Sequence, residues 1–285
     1  MSIKMQQQTL ERKRTIRNLV IFTVVVLASG WLGYGLDRLM NNPPEAPLGM
    51  LLWLILPLST VLLLRAFAGD GWQDFGLRPS LAGNAAWYAV SLLLYPLVAV
   101  LGLAIGGALG LVTAPTFTFS RLLTVVAGGL LASFIKNIFE ELAWRGYLAP
   151  KVYALGWDGY GGHAIVGLIW GGWHIPYLLF LLDPAVIQAT TTQSMGTFIP
   201  LAIGNLMAAA IVYGELRQLT HSVWPPLLLH TIGNALIDVL VVQGFVQIVP
   251  GTDFLVSPGH QSILTLLIFT LIGIGLHRIR ISKQL

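Results

Sequence analysis

The sequence predicts an all-α polytopic membrane protein of eight transmembrane helices arranged around a polar cavity. Three observations carry the fold class. The 285 residues are 55% hydrophobic and only 10% charged, whereas a soluble domain carries about a quarter of its residues as Asp, Glu, Lys or Arg. Apolar runs of about 20 residues, the length that crosses the hydrocarbon of a bilayer, recur along the whole chain. Lys and Arg collect at the ends of those runs rather than within them. Mean hydropathy is +0.76.

The runs lie near 18–36, 48–67, 84–112, 122–148, 163–182, 197–214, 222–248 and 262–277. The first follows a basic stretch, as a signal peptide does, yet it is long and lacks a small-x-small cleavage site before Asp37, so it is expected to stay as a span. Loop residues separate the runs: Asn41-Asn42-Pro43-Pro44, Gly69-Asp70-Gly71, Gly156 to Gly162, and Ser257-Pro258-Gly259. In the third run Gly102, Gly106 and Gly110 recur at four-residue spacing, which lets a neighbouring helix of the same chain approach closely. The third, fourth and seventh runs are long enough to tilt or to project into water. One membrane domain, residues 18–277, is expected between a basic N-terminus, 1–17, and a basic C-terminus, 278–285. No repeat relates the two halves, which counts against a transporter built from inverted repeats.

Positive charge gathers on the cytoplasmic side of short loops. With the N-terminus inside, that side holds Lys4, Arg12, Lys13, Arg14, Arg17, Arg65, Arg78, Arg145, Lys151, Arg217, Arg278, Arg280 and Lys283. Only Arg38 and Arg121 fall outside, and Lys136 sits within a span. Both termini are therefore expected in the cytoplasm. The net charge of +4 is dispersed at span ends rather than gathered in a stripe, so membrane lipid is the expected partner and nucleic acid is not. The chain has no Cys, which excludes disulfides, thiolate nucleophiles, zinc fingers and iron–sulfur clusters.

Chemistry must then come from oxygen and imidazole. Ionisable groups inside a bilayer are costly and mark function by default. The fourth run ends in Phe139-Glu140-Glu141-Leu142-Ala143-Trp144-Arg145. Glu141 and Arg145 share a helix face in the favourable order for an ion pair, which leaves Glu140, rotated by about 100°, in need of another partner. Lys136 can reach it at four-residue spacing, as a tuning charge or a plain counter-ion, and Asn137 lies beside it. The fifth run carries Trp170-Gly171-Gly172-Trp173-His174-Ile175-Pro176, and the seventh sets His230, Asn234 and Asp238 along one stripe. At 1.5 Å per residue, Glu140 lies about 12 Å, His174 about 16 Å and His230 about 12 Å from the cytoplasmic ends of their runs. Three segments thus aim at one slab. His163, His221, His260 and His277 fall at interfaces or in a loop, where such rings need no function.

A glutamate, two histidines and an asparagine suit hydrolysis. A buried carboxylate beside an imidazole deprotonates water, and N–H donors on His230 and Asn234 can hold the oxyanion formed at a peptide carbonyl. The motifs of site-2-type metalloproteases, rhomboids and presenilin-like proteases are absent. Glu140, His174 and His230 also make a two-His, one-Glu zinc set with an open position. No cofactor is required by the water mechanism, and zinc is the alternative. An ion transporter or proton relay, and a non-enzymatic scaffold or immunity factor, are the readings from other classes.

Glu140-Glu141-x-x-x-Arg145, Trp170-x-x-x-His174 and His230-x-x-x-Asn234 resemble the three motifs of the CPBP family of intramembrane proteases, which includes the CAAX prenyl endopeptidases and bacteriocin-processing or self-immunity proteins. The likeness spans about residues 75 to 245, starting at Asp74-Phe75-Gly76-Leu77-Arg78, and is nearest to bacterial members. It implies an eight-helix fold in a bacterial inner membrane, with a cavity open to cytoplasm and membrane. Glu140 and His174 would activate water, and His230 and Asn234 would stabilise the oxyanion, acting on a membrane-associated peptide or protein. Trp170 stands where many members have Phe, a swap expected to be tolerated. Activity on prenylated CAAX termini does not transfer with the motifs.

Overall fold

The computed structural model describes residues 3–42, 48–115 and 117–283. Pro43 and Pro44, and the side chains of Lys4 and Asp238, lie outside what is described. Among the described residues eight helices are long and apolar enough to cross a membrane. They are α1 (Ile3–Met40), α2 (Leu48–Phe67), α3 (Ala85–Ala108), α4 (Phe119–Tyr153), α5 (Tyr160–Leu181), α7 (Met195–Thr220), α8 (Trp224–Val242) and α10 (Ile263–Ser282). Two short helices, α6 (Pro184–Thr190) and α9 (Asp253–Val256), lie in connections. A two-residue strand pair, β1 (Val112–Thr113) with β2 (Gln247–Ile248), is antiparallel.

The ends of the helices differ from the apolar runs for local reasons. α1 continues through the basic stretch and reaches 38 residues, roughly 57 Å of helix against a hydrocarbon core of about 30 Å, so its first turns stand clear of the membrane. α3 and α8 stop short of the predicted 112 and 248 because Gly110 and Gly244 turn the chain at φ +71° and +69°, a backbone region that favours glycine. That turn also revises the Gly102–Gly110 stripe. A Cβ on Gly102 would meet open space, and one on Gly106 would strike Val112 of the returning chain at 2.5 Å. The close helix approach lies elsewhere: a Cβ on Gly33 of α1 would sit 2.4 Å from the Gly49 carbonyl oxygen of α2.

α5 packs on α7, α7 on α10, and α8 on both α3 and α4. Two spans contain π-helical turns, Trp144–Leu148 in α4 and Tyr177–Leu181 in α5. Proline explains the first. Pro150 has no N–H to offer the Gly146 carbonyl, and Arg65 Nη2 donates to that carbonyl at 2.6 Å instead. The neighbouring Arg145 carbonyl accepts from Arg217 Nε at 3.0 Å. Such turns are over-represented at functional sites, and here each follows a motif residue, Glu140 in one helix and His174 in the other.

A cavity of about 570 Å³ is lined by Lys136, His174 and Asn234, by apolar side chains including Leu178, Leu182 and Leu206, and by Thr190, His260 and Gln261. Its lining runs toward α6 and the β2–α10 connection, at the helix ends opposite both termini. The sequence expectation put the mouth at the end carrying the termini. At that end the π-turn residues Trp144, Arg145, Tyr147 and Leu148 are fully buried beneath the site.

Candidate active site

Trp170 organises the centre. Its indole Nε1 donates to Glu140 Oε2 at 3.1 Å, and its carbonyl oxygen lies 2.9 Å from His174 Nδ1, one helical turn on. A carbonyl only accepts, so His174 carries its hydrogen on Nδ1 and, when neutral, turns the Nε2 lone pair outward. The Trp170 ring meets the His174 ring edge-on at 6.1 Å and the His230 ring edge-on at 5.5 Å. Glu140 from α4, His174 from α5 and His230 from α8 are thereby gathered around one indole, as the sequence expected of the three spans. Lys136 Nζ lies 2.8 Å from Glu140 Oε1, the i,i+4 pair read from the sequence.

Glu141 takes the other assignment. Its Oε1 accepts from Arg145 Nη1 at 3.0 Å and lies 2.8 Å from His230 Nδ1, with both acid and base fully buried. The Arg145 guanidinium sits between rings, 4.3 Å from the centroid of Trp170 and 4.4 Å from that of Tyr213. Charge, two π faces and a carboxylate offset the cost of burying it. His230 therefore donates from Nδ1, and its Nε2 is a lone pair in the neutral ring and a donor in the imidazolium.

Asn234 Nδ2 donates to Asn137 Oδ1 at 3.0 Å. Asn137 is fully buried and fixes the carboxamide that lines the cavity, leaving the second N–H of Asn234 uncommitted. Its position, one turn ahead of Glu141 in an apolar helix, was the available signal. Tyr213 and Tyr95 were not singled out in the sequence. Their hydroxyls are 3.1 Å apart, Tyr95 reaches His260 Nε2 at 3.4 Å, and the Tyr213 ring stands 5.6 Å from His230. Aromatic residues abound here, so nothing in their spacing marked them.

His260 lies between spans, and burial, with His230, His174 and Lys136 nearby, pushes it down to about 4. At the terminal end, Asp74 anchors the strap 70–78. Burial alone would raise its carboxyl, but Arg65 at 2.7 Å and Lys151 at 3.0 Å outweigh it and hold the group below the usual carboxylate range. Arg217 Nη2 donates to the Asp74 carbonyl at 2.8 Å. This strap supports the π-turn of α4, and so the acidic pair above it.

Among the described residues the one His/Asp/Glu group whose ligand atoms all lie within 4.8 Å of one another is not the Glu140 set. It is His163, Glu215 and His277. In the sequence both histidines are rings at interfaces or a helix end that need no function, and Glu215, just past the run 197–214, belongs to no motif.

Among curated proteins nothing matches the chain. Residues 121–236 match the family model Rce1-like, type II CAAX prenyl endopeptidase, a stretch that contains Glu140, Glu141, Arg145, Trp170, His174, His230 and Asn234. Over residues 121–236 the chain is similar to the Rce1-like type II CAAX prenyl endopeptidase family, in agreement with the resemblance of its three motifs.

Proposed function

We propose that the protein is an intramembrane endopeptidase that hydrolyses a peptide bond of a membrane-associated protein or peptide with water activated by Glu140 and His174. The observation that carries this reading is the single indole bridging the acid and the imidazole, with His174 Nδ1 committed to a carbonyl. Nε2 is then the base. It takes a proton from water as the oxygen attacks the carbonyl carbon, and the Glu140 carboxylate stabilises the imidazolium so formed. The carbonyl π electrons move to the oxygen, giving an oxyanion that accepts from the free Nδ2–H of Asn234 and from Nε2–H of His230. For His230 that donation requires the imidazolium. Collapse of the tetrahedral intermediate breaks the C–N bond, and His174 returns its proton to the leaving amine.

The match of residues 121–236 to the Rce1-like family model supports endopeptidase chemistry in general. The cavity's apolar walls suit a peptide delivered from the membrane. The charge distribution supports cytoplasmic termini. Proteomics of membranes holding wild type or Glu140→Gln tests the reading: fragments present only with the intact carboxylate support it, and identical fragment sets contradict it.

A further inference from the structure

We propose that His163, Glu215 and His277 form a second site, which binds one divalent transition ion, zinc being the best match, at the end of the bundle carrying the termini. The reading does not depend on the protease assignment. Three helices contribute: His163 opens α5, Glu215 lies near the end of α7, and His277 near the end of α10. His163 Nε2 is 2.8 Å and His277 Nδ1 is 2.7 Å from the same oxygen, Glu215 Oε1. Two imidazole nitrogens and a carboxylate oxygen are the ligand set of a zinc site with an open position.

The outer contacts orient all three inward. Tyr153 OH is 3.1 Å from His163 Nδ1, so that nitrogen can keep the ring hydrogen and free Nε2. Arg280 Nε donates to Glu215 Oε2 at 2.6 Å, fixing the carboxylate with Oε1 toward the rings. Tyr160 packs on the His277 ring at 4.2 Å. Partners of this kind fix tautomer and orientation in metal sites. Gly214 makes the room, since a Cβ there would lie 2.3 Å from His163 Nδ1 and 2.6 Å from Tyr153 OH.

Binding asks for a small expansion. Zinc bonds of about 2.0–2.1 Å at tetrahedral angles separate ligand atoms by roughly 3.3 Å, so Oε1 must withdraw about half an ångström from each nitrogen. Arg280 Nη2, 3.3 Å from both Oε1 and His277 Nδ1, gives up those long contacts and keeps the Asp158 carbonyl at 2.9 Å. The ion would enter past His277, the least buried of the three.

The test titrates Zn²⁺ and Co²⁺ into full-length protein purified without a histidine tag, in competition with a chromogenic chelator. Wild type and Glu140→Gln should each bind one equivalent, with visible Co²⁺ bands of low-symmetry N/O coordination. His277→Ala should lose more than the roughly 10–100-fold that an outer-contact change costs, and His163→Gln serves if that variant does not fold. Absence of stoichiometric binding in wild type overturns the proposal. So does binding that survives both histidine substitutions, or that disappears with Glu140→Gln.

Discussion

Trp170 and Glu140 are joined by an indole N–H donated to a buried carboxylate at 3.1 Å, a bond that phenylalanine at this position could not make. A hydrogen bond to a charged group contributes about 1.5–3 kcal/mol. Trp170→Phe should therefore lower cleavage roughly 10–100-fold while the unfolding temperature in detergent changes little. An unchanged rate would mean that the ring only fills space, as the sequence expectation of a tolerated swap assumed.

Glu141 and Arg145 should respond differently. Both are fully buried, and removing one partner strands the other, a loss of about 3–5 kcal/mol. Glu141→Gln alone should depress thermal stability strongly. Glu141→Gln with Arg145→Met should recover much of it, because no guanidinium is then left buried without its carboxylate. A double variant less stable than either single one contradicts this.

Asn137 acts through Asn234. Asn137→Ala removes the acceptor at 3.0 Å and frees the Asn234 carboxamide to rotate, so cleavage should fall by about tenfold or more, toward the roughly 10²–10³ cost of a lost oxyanion donor. Asn137→Asp keeps an acceptor and should restore most of the rate. Equal losses in the two variants would assign Asn137 a packing role only.

The eight spans, the Glu141–Arg145 and Lys136–Glu140 pairs, and the meeting of Glu140, His174 and His230 were legible because burial of charge in lipid leaves so few explanations. Depth counted along the apolar runs is an imperfect ruler. From the observed ends at Tyr153, Tyr160 and Trp224, Glu140, His174 and His230 lie roughly 19, 21 and 9 Å along their helices. The ends are staggered: Ser222 and Val223 are buried and Val223 N–H donates to the Gly76 carbonyl at 2.9 Å, while Trp157 is exposed. No one-dimensional pattern reports stagger. The π-turn of α4 was illegible for the same reason, since it depends on Arg65 and Arg217 reaching across from other helices. Glu215 was missed because its partners, at 163, 277 and 280, are remote in sequence.

His260 gives a pH dependence with a definite sign. Its ordinary value near 6.5 is pushed down to about 4 by burial, so the fold favours the neutral ring. The stability this confers is complete above pH 6.5 and is lost as pH falls toward 4. In unfolding temperatures compared from pH 7.5 to 4, wild type should lose stability relative to His260→Gln as pH falls from 6.5 to 4. A constant difference would show that the ring is not held neutral.

The most direct measurement of the central claim is isotopic. Membranes containing wild type or Glu140→Gln are incubated in H₂¹⁸O, and new C-termini are read by mass spectrometry. The account predicts fragments whose fresh carboxylates carry one ¹⁸O with wild type and no such fragments with Glu140→Gln. Labelled termini in equal amounts from both would contradict it.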